Sequence, residues 1–305
     1  MFSGNTPLGI IVGVDDSPAA KVAVQWAARD AELRNVALTL VHAVSPEIAN
    51  WPTVRLPPGL ARWQQDHGRR LLDDAFKVVE EVSERGGPAE VHSKVLSSAA
   101  LPALVDLSKD AELVVTGSRG SGQWAGRPIG SVSSGLLRHA HCPVAIIHDW
   151  GHLPPADAEP SVPQPSQAPV LVGIDGSSAS ELATAIALNE ASLRNVGLIA
   201  LHAWSDADTG DRPEIDWPAT QSAAEQLLAE RLAGWQEQYP DVRIERIVVR
   251  DQPARQLVQR SEDAQLVVLG SRGRGGFAGL LVGSVSETVV QMTQVPVIVA
   301  NDSLA

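Results

Sequence analysis

Short runs of β-branched and aliphatic residues alternate with longer amphipathic stretches along this chain, and the alternation is played through twice. In the first pass GIIVGVD reads as a buried strand, and PAAKVAVQWAARDAEL as a helix carrying Val22, Trp26 and Leu33 on one side. ALTLVHAV is a second strand. A helix around 60–84 follows, then EVHSKVL as a third strand, a short helix from Ala99 to Ser108, ELVVTG as a fourth strand, a helix opening near Ser131, and PVAIIH as a fifth strand. The strand runs are apolar throughout rather than alternating, so both of their faces must be covered. Right-handed crossover helices do this for a parallel sheet, and the expected unit is a five-stranded parallel doubly wound α/β sheet with helices on both faces.

The second pass repeats the first. IIVGVDDSPAA at 10–20 matches VLVGIDGSSAS at 170–180, Leu33-Arg34-Asn35-Val36 recurs as Leu193-Arg194-Asn195-Val196, and LVHA at 40–43 recurs as ALHA at 200–203. DAELVVTGSRG at 110–120 matches DAQLVVLGSRG at 263–273, with a smaller offset, so the second copy is shorter between its second and fourth strands. GHLPPADAEPSVPQPSQAP, rich in Pro, Ala and Ser, separates the copies and reads as an exposed, partly extended linker. The expected organisation is a first domain at 1–150, a linker at 151–169 and a second domain at 170–305. Trp51-Pro52 and Trp217-Pro218 both fall in the loop expected after the second strand.

Charge narrows the partners. The 305 residues hold 24 Lys and Arg against 36 Asp and Glu, a formal charge of −12, with no basic run. Nucleic acid and acidic membrane faces need a basic patch, so neither is an expected partner, and phosphate has to be bound locally. The N-terminal segment lacks the pattern of a signal peptide, and no apolar stretch is long enough to span a bilayer. A cytoplasmic location is expected. Cys142 is the one cysteine and cannot form an internal disulfide.

The loop after the fourth strand carries the most specific chemistry. Gly117-x-x-Gly120, nine residues, then Gly130-Ser131 is repeated with identical spacing as Gly270-x-x-Gly273, nine residues, then Gly283-Ser284. Glycines let backbone approach a polyphosphate closely, and consecutive N–H groups at a helix start form an anion site. Ser118, Ser271, Ser131 and Ser284 add hydroxyls, and the last two are expected as N-caps. Two matched copies, each after a buried strand, point to nucleotide phosphate. The loop is neither a Walker A sequence nor a dinucleotide fingerprint, since G-x-x-x-x-G-K-[ST] and G-x-G-x-x-G are both absent at the required places.

The G-2x-G-9x-G-[ST] loop, the first strand ending in Asp15 or Asp175 followed by Ser, and the LVHA/ALHA strand together resemble the ATP-binding branch of the universal stress proteins, here in tandem. The resemblance implies two Rossmann-like domains of the adenine nucleotide alpha hydrolase-like type, each with one ATP site. It implies that Asp15 and Asp175 lie at the ribose and adenine end, that backbone at Ala43 and Ala203 meets the adenine edge, and that Gly117, Gly120, Gly130 and Ser131, with Gly270, Gly273, Gly283 and Ser284, hold ribose and phosphates. Val132 and Val285 would add backbone N–H groups. It also implies that the apolar fifth-strand edges of the two copies pair.

Other residues fit around this frame. A carboxylate at a strand end can accept from ribose hydroxyls or reach a phosphate-bound Mg²⁺, and the plainer role of Asp15 and Asp175 is a carboxylate at a helix N-terminus. Gly13 and Gly173 are places where a nucleotide can lie against the strand. Arg119, Arg127, Arg272 and Arg274 are local cations for phosphate. Asp206, just past the second strand of the second copy, can reach base or ribose, whereas its counterpart is Pro46. His139, His141 and Cys142 suggest a metal, but the second copy places Met292, Gln294 and Val295 there, and a buried Cys142 is the stronger expectation. His42 and His202 read as strand-end histidines with satisfied hydrogen bonds. No Ser-His-Asp spacing is present, and no general base or nucleophile stands out. The expected function is therefore an ATP-binding regulatory protein of stress response or growth control, homodimeric and with a protein partner. A slow ATPase or an ATP-dependent adenylating enzyme is the alternative. Asp15→Ala or Gly117→Ala is expected to weaken ATP binding in the first half with the fold intact.

Overall fold

The computed structural model describes residues 8–45, 59–84, 86–120, 129–148, 167–204, 217–273 and 282–301. The chain divides into two compact units, with the boundary between Asp149 and Trp150. Most of the linker expected at 151–169 lies outside the described residues, as do Trp51, Pro52, Arg127, Asp206 and Arg274.

The first unit runs β1 (Ile10–Gly13), α1 (Pro18–Arg34), β2 (Leu38–Ala43), α2 (Leu60–Val82), β3 (Val91–Leu96), α3 (Ala100–Leu107), β4 (Leu113–Gly117), α4 (Ser131–His139) and β5 (Val144–Ile147). Its strands lie in the order β3-β2-β1-β4-β5, and every neighbouring pair is parallel. The second unit repeats this with β6 (Val170–Gly173), α5 (Ser178–Arg194), β7 (Leu198–Trp204), α6 (Trp217–Gln238), β8 (Ile244–Arg250), α7 (Pro253–Ser261), β9 (Leu266–Gly270), α8 (Ser284–Met292) and β10 (Val297–Ala300). Its order is β8-β7-β6-β9-β10, again all parallel. Strands are added first on one side of β1 and then on the other, and likewise around β6, so the crossovers part between β1 and β4 and between β6 and β9, where such sheets have a crevice beyond the carboxyl ends of the strands.

Two signals frame α1. Ser17 caps its start, accepting from the Ala20 N–H at 3.1 Å, with Pro18 in the first turn. Asn35 ends it in the left-handed conformation, φ 53°, its N–H turned back to the carbonyls of Ala31 and Glu32. Ser177 and Asn195 do the same for α5. The repeated L-R-N-V is thus a helix stop: Asn tolerates the left-handed backbone that other side chains resist.

The face that α1 buries differs from the expected one. Val22, Trp26 and Leu33 are half-buried, while Ala19, Ala20, Ala23, Val24, Ala27, Ala28 and Ala31 are at most 4% exposed. Small side chains win this face because they let the helix axis approach the sheet closely. On α2 the buried stripe is Leu72, Ala75, Val78, Val79 and Val82, and Gly68 fits against the His42 ring, where a methyl group would lie 2.7 Å from Cδ2.

Two further expectations are corrected. Gly130 and Gly283 occupy the N-cap positions, and Ser131 and Ser284 are the first helical residues, with no side-chain cap bond. An N-cap needs extended backbone, and it is the glycines that adopt it, at φ −72° and −73°. Trp217 and Pro218 open α6 rather than lying in a loop, because proline suits the first turn of a helix.

Candidate functional site

Beyond β1 and β4 of the first unit lies a cleft of about 900 Å³. Of the residues singled out in the sequence, Gly13 and Asp15 line it from the end of β1, and Ala43 from the end of β2. Gly117, Arg119 and Gly120 line it from the loop after β4, and Gly130, Ser131 and Val132 from the opening of α4. Ser118 is not in the lining: it is 2% exposed, and its backbone is used to build the loop.

That loop closes on itself. The Ser118 N–H donates to the Ile147 carbonyl at 2.7 Å, the Gly130 N–H donates to the Ser118 carbonyl at 2.7 Å, and the Ser133 hydroxyl donates to the Gly117 carbonyl at 2.7 Å. These three bonds bring Gly117, Gly120 and the start of α4 side by side. The first N–H groups of α4, at Ser131 and Val132, have no carbonyl to meet inside the helix and stand at the cleft. With the helix dipole behind them and Arg119 on the rim, they form a positive corner in an acidic protein.

Asp15 sits opposite. Its Oδ1 accepts from the Ser17 N–H at 3.0 Å and from the Ser17 hydroxyl, so this oxygen supports the capping turn. Its Oδ2 faces Gly120: a methyl group on that glycine would lie 2.8 Å away. The carboxylate therefore holds a helix start through one oxygen and borders the cleft with the other.

The second unit reproduces the frame. Asp175 Oδ1 accepts from the Ser177 N–H at 2.9 Å, and a methyl on Gly273 would meet its Oδ2 at 2.5 Å. The Ser177 hydroxyl lies 2.7 Å from Asp175 Oδ1 and 3.1 Å from the Arg272 carbonyl, either of which can take its proton. The Gly283 N–H donates to the Ser271 carbonyl at 2.7 Å, and the Ser286 hydroxyl to the Gly270 carbonyl at 2.6 Å. Ser271, like Ser118, is buried. Gly173 ends β6, Ala203 lies near the end of β7 opposite Val249, and Ser284 and Val285 open α8.

Sequence reasoning left out several lining residues: Ala100 and Leu104 of α3, Thr116 of β4, Ile129, and Ser133 of α4. Ser133 was visible in the repeated Gly-Ser-Val-Ser, whose second serine supplies the bond to Gly117. Leu104 sits on a helix without a motif and was findable only through its counterpart Leu257. His42 also lines the cleft, and its Nδ1 donates to the Val14 carbonyl at 2.8 Å, as His202 does to Ile174 at 2.7 Å. A carbonyl only accepts, so the proton is on Nδ1 in both rings.

In the H-A-H-C segment His139 and His141 are exposed and Cys142 is buried. Among the described residues no three His, Cys, Asp or Glu side chains gather around one point. Cys142 is buried, and burial pushes its thiol up to about 12. The thiolate is the reactive form, so the native protein is expected to resist iodoacetamide at about pH 8 and to react once denatured. Alkylation of the native chain at the rate of a free thiol would contradict this.

A model of the universal stress protein family matches residues 9–148 and 168–301. The chain belongs to the universal stress protein family. A universal stress protein of Mycobacterium tuberculosis strain H37Rv is 72% identical over 305 residues, covering all of both chains. One of Mycobacterium bovis is 50% identical over 295 residues, covering 97% of each. The crystal structure of a universal stress protein from Archaeoglobus fulgidus, 17% identical, superposes with a TM-score of 0.67 over 97% of both chains, and shares the fold. In this universal stress protein, as the described residues stand, no helix is long and apolar enough to cross a membrane.

Proposed function

We propose that each unit of this universal stress protein binds one ATP, and that occupancy regulates its contacts with a protein partner. The observation that carries the reading is the convergence, on one cleft, of a strand-end carboxylate, a glycine loop and the unpartnered N–H groups of α4. A cleft of about 900 Å³ is in the range that holds a small organic ligand. In this reading the Ser131 and Val132 N–H groups and Arg119 meet the phosphates, Asp15 accepts from ribose hydroxyls, and Gly13 and Ala43 flank the base. ATP would supply the charge and bulk that complete the corner; Mg²⁺, where it accompanies the phosphates, would be within the reach of Asp15. A cytoplasmic homodimer, with the nucleotide acting as a signal rather than a fuel, follows from the same reading.

The test is the nucleotide content of the purified protein, released by denaturation and identified by chromatography, with calorimetric titration of ATP into the emptied chain. Two ATP per chain is the expected result. Asp15→Ala is expected to weaken one of the two sites by about tenfold or more, since hydrogen bonds to a charged acceptor carry roughly 1.5–3 kcal/mol. No nucleotide and no heat would overturn the assignment, and release of ADP on incubation would move the protein to the slow ATPase reading.

A further inference from the structure

The two units share their loop glycines, carboxylate and capping serine, but differ beside the strand-end glycine. In the first unit Gly13 ends β1, and a methyl group there would have one described neighbour within 4 Å, Leu104 Cδ1 at a tight 3.3 Å. The residue across from it, one before the loop glycine, is Thr116, which lines the cleft and whose hydroxyl makes a long 3.3 Å hydrogen bond to the Gly117 carbonyl. In the second unit the same position is Leu269. A methyl group on Gly173 would lie 2.8 Å from Leu269 Cδ2, and 3.3 Å from Leu257 Cδ1. Leu257 stands where Leu104 stands, its Cδ1 also at 3.3 Å and its Cδ2 at 3.4 Å, so the closest approach, at 2.8 Å, is what Leu269 adds.

We propose that Thr116 and Leu269 set unequal affinities in the two nucleotide sites, the first unit binding ATP more tightly than the second. This rests on the ATP reading given above. A group lying against the strand-end glycine meets Leu104 and the shorter, hydroxyl-bearing Thr116 in the first unit. In the second it must push a buried leucine, 3% exposed, out of its position or bind further from the strand. The leucine also removes a hydrogen-bonding group from that part of the wall, so a polar edge of the ligand buried there goes unmatched.

Calorimetric titration of ATP into the emptied full-length protein is the experiment, on the wild type, Leu269→Thr, Thr116→Leu and Asp15→Ala. The expected wild-type isotherm has two sites whose Kd values differ by about tenfold, equivalent to ~1.4 kcal/mol. Asp15→Ala is expected to remove the tighter one, which assigns it to the first unit. Leu269→Thr is expected to bring the weak site up to the tight one, and Thr116→Leu to bring the tight one down. Thermal unfolding of each variant checks that it is folded, and Leu269→Val, which leaves the site apolar but shorter, serves if the threonine variant does not fold; an intermediate gain is expected from it. Two equal sites in the wild type, a tighter site that survives Asp15→Ala, or exchanges that leave the ratio unchanged would overturn the inequality while leaving ATP binding intact. Absence of any ATP binding would overturn the site assignment itself.

Discussion

Arg34→Met is expected to destabilise the first unit by about 3 kcal/mol, the cost of breaking a buried ion pair from one side. Asp30 lies on α1 with its side chain 0% exposed, and Arg34, one turn on and 15% exposed, holds it through Nε at 2.8 Å. The methionine keeps much of the arginine's aliphatic bulk but leaves a carboxylate buried without that cation. The second unit carries the same arrangement in Glu190 and Arg194, with the carboxylate again fully buried. Chemical denaturation of the full chain, followed by a probe for each unit, checks this. The first unit is expected to unfold at lower denaturant while the second is unmoved, and a shift below about 1 kcal/mol, the range of an exposed pair, would show that the pair is not in a buried setting. Replacing both Asp30 and Arg34 by apolar residues is expected to cost less than Arg34→Met alone, since no carboxylate is then buried without the arginine.

Gly117→Ala is expected to lower the stability of the first unit by about 1–3 kcal/mol, which for a domain of this size is roughly 2–10 °C in Tm. An added methyl would sit 2.8 Å from both the carbonyl carbon and the Cβ of Ala19, and 3.0 Å from its oxygen. Backbone cannot swing aside as a side-chain tip can, so α1 must move off β4. Gly270→Ala is expected to do the same to the second unit, against Ala179 at 2.7 Å. This close approach does not fit the expectation that Gly117→Ala spares the fold, and the effect of the exchange on ATP binding is a separate readout. A melt identical to wild type would show that α1 yields without cost. Gly120→Ala is the cleaner probe of the cleft, since its methyl would meet the Asp15 carboxylate and no backbone.

Element order, parallel sheets and the duplication were legible because each rests on a local pattern: fully apolar runs for covered strands, Asn35 and Asn195 for helix stops, glycine at fixed spacing for the loops. The features that escaped are set by close packing between segments remote in sequence. An alanine face is no signal to a search for large apolar residues, yet it is what α1 and α5 bury. Gly117 looks identical to Gly120 in the sequence, and only the approach of α1 separates a packing glycine from one bordering the cleft. Ser131 and Ser284 were displaced as caps because a serine beside a glycine does not reveal which of them takes the extended backbone. Asp30 with Arg34 was hidden for a further reason: an i,i+4 pair on a helix reads as a solvated face unless its burial is known.

The clasp that joins Ser118 to Gly130 also bears on how such a protein can change. The chain leaves the sheet after β4 and enters α4 with the ends of the connecting loop tied by one backbone bond, Gly130 N–H to the Ser118 carbonyl. The two copies carry different contents there, SGQWAGRPI and RGGFAGLLV. With the ends held by the same backbone bond in both copies, the sequence between them is where the copies differ, and the two halves can diverge in what they recognise on one shared frame.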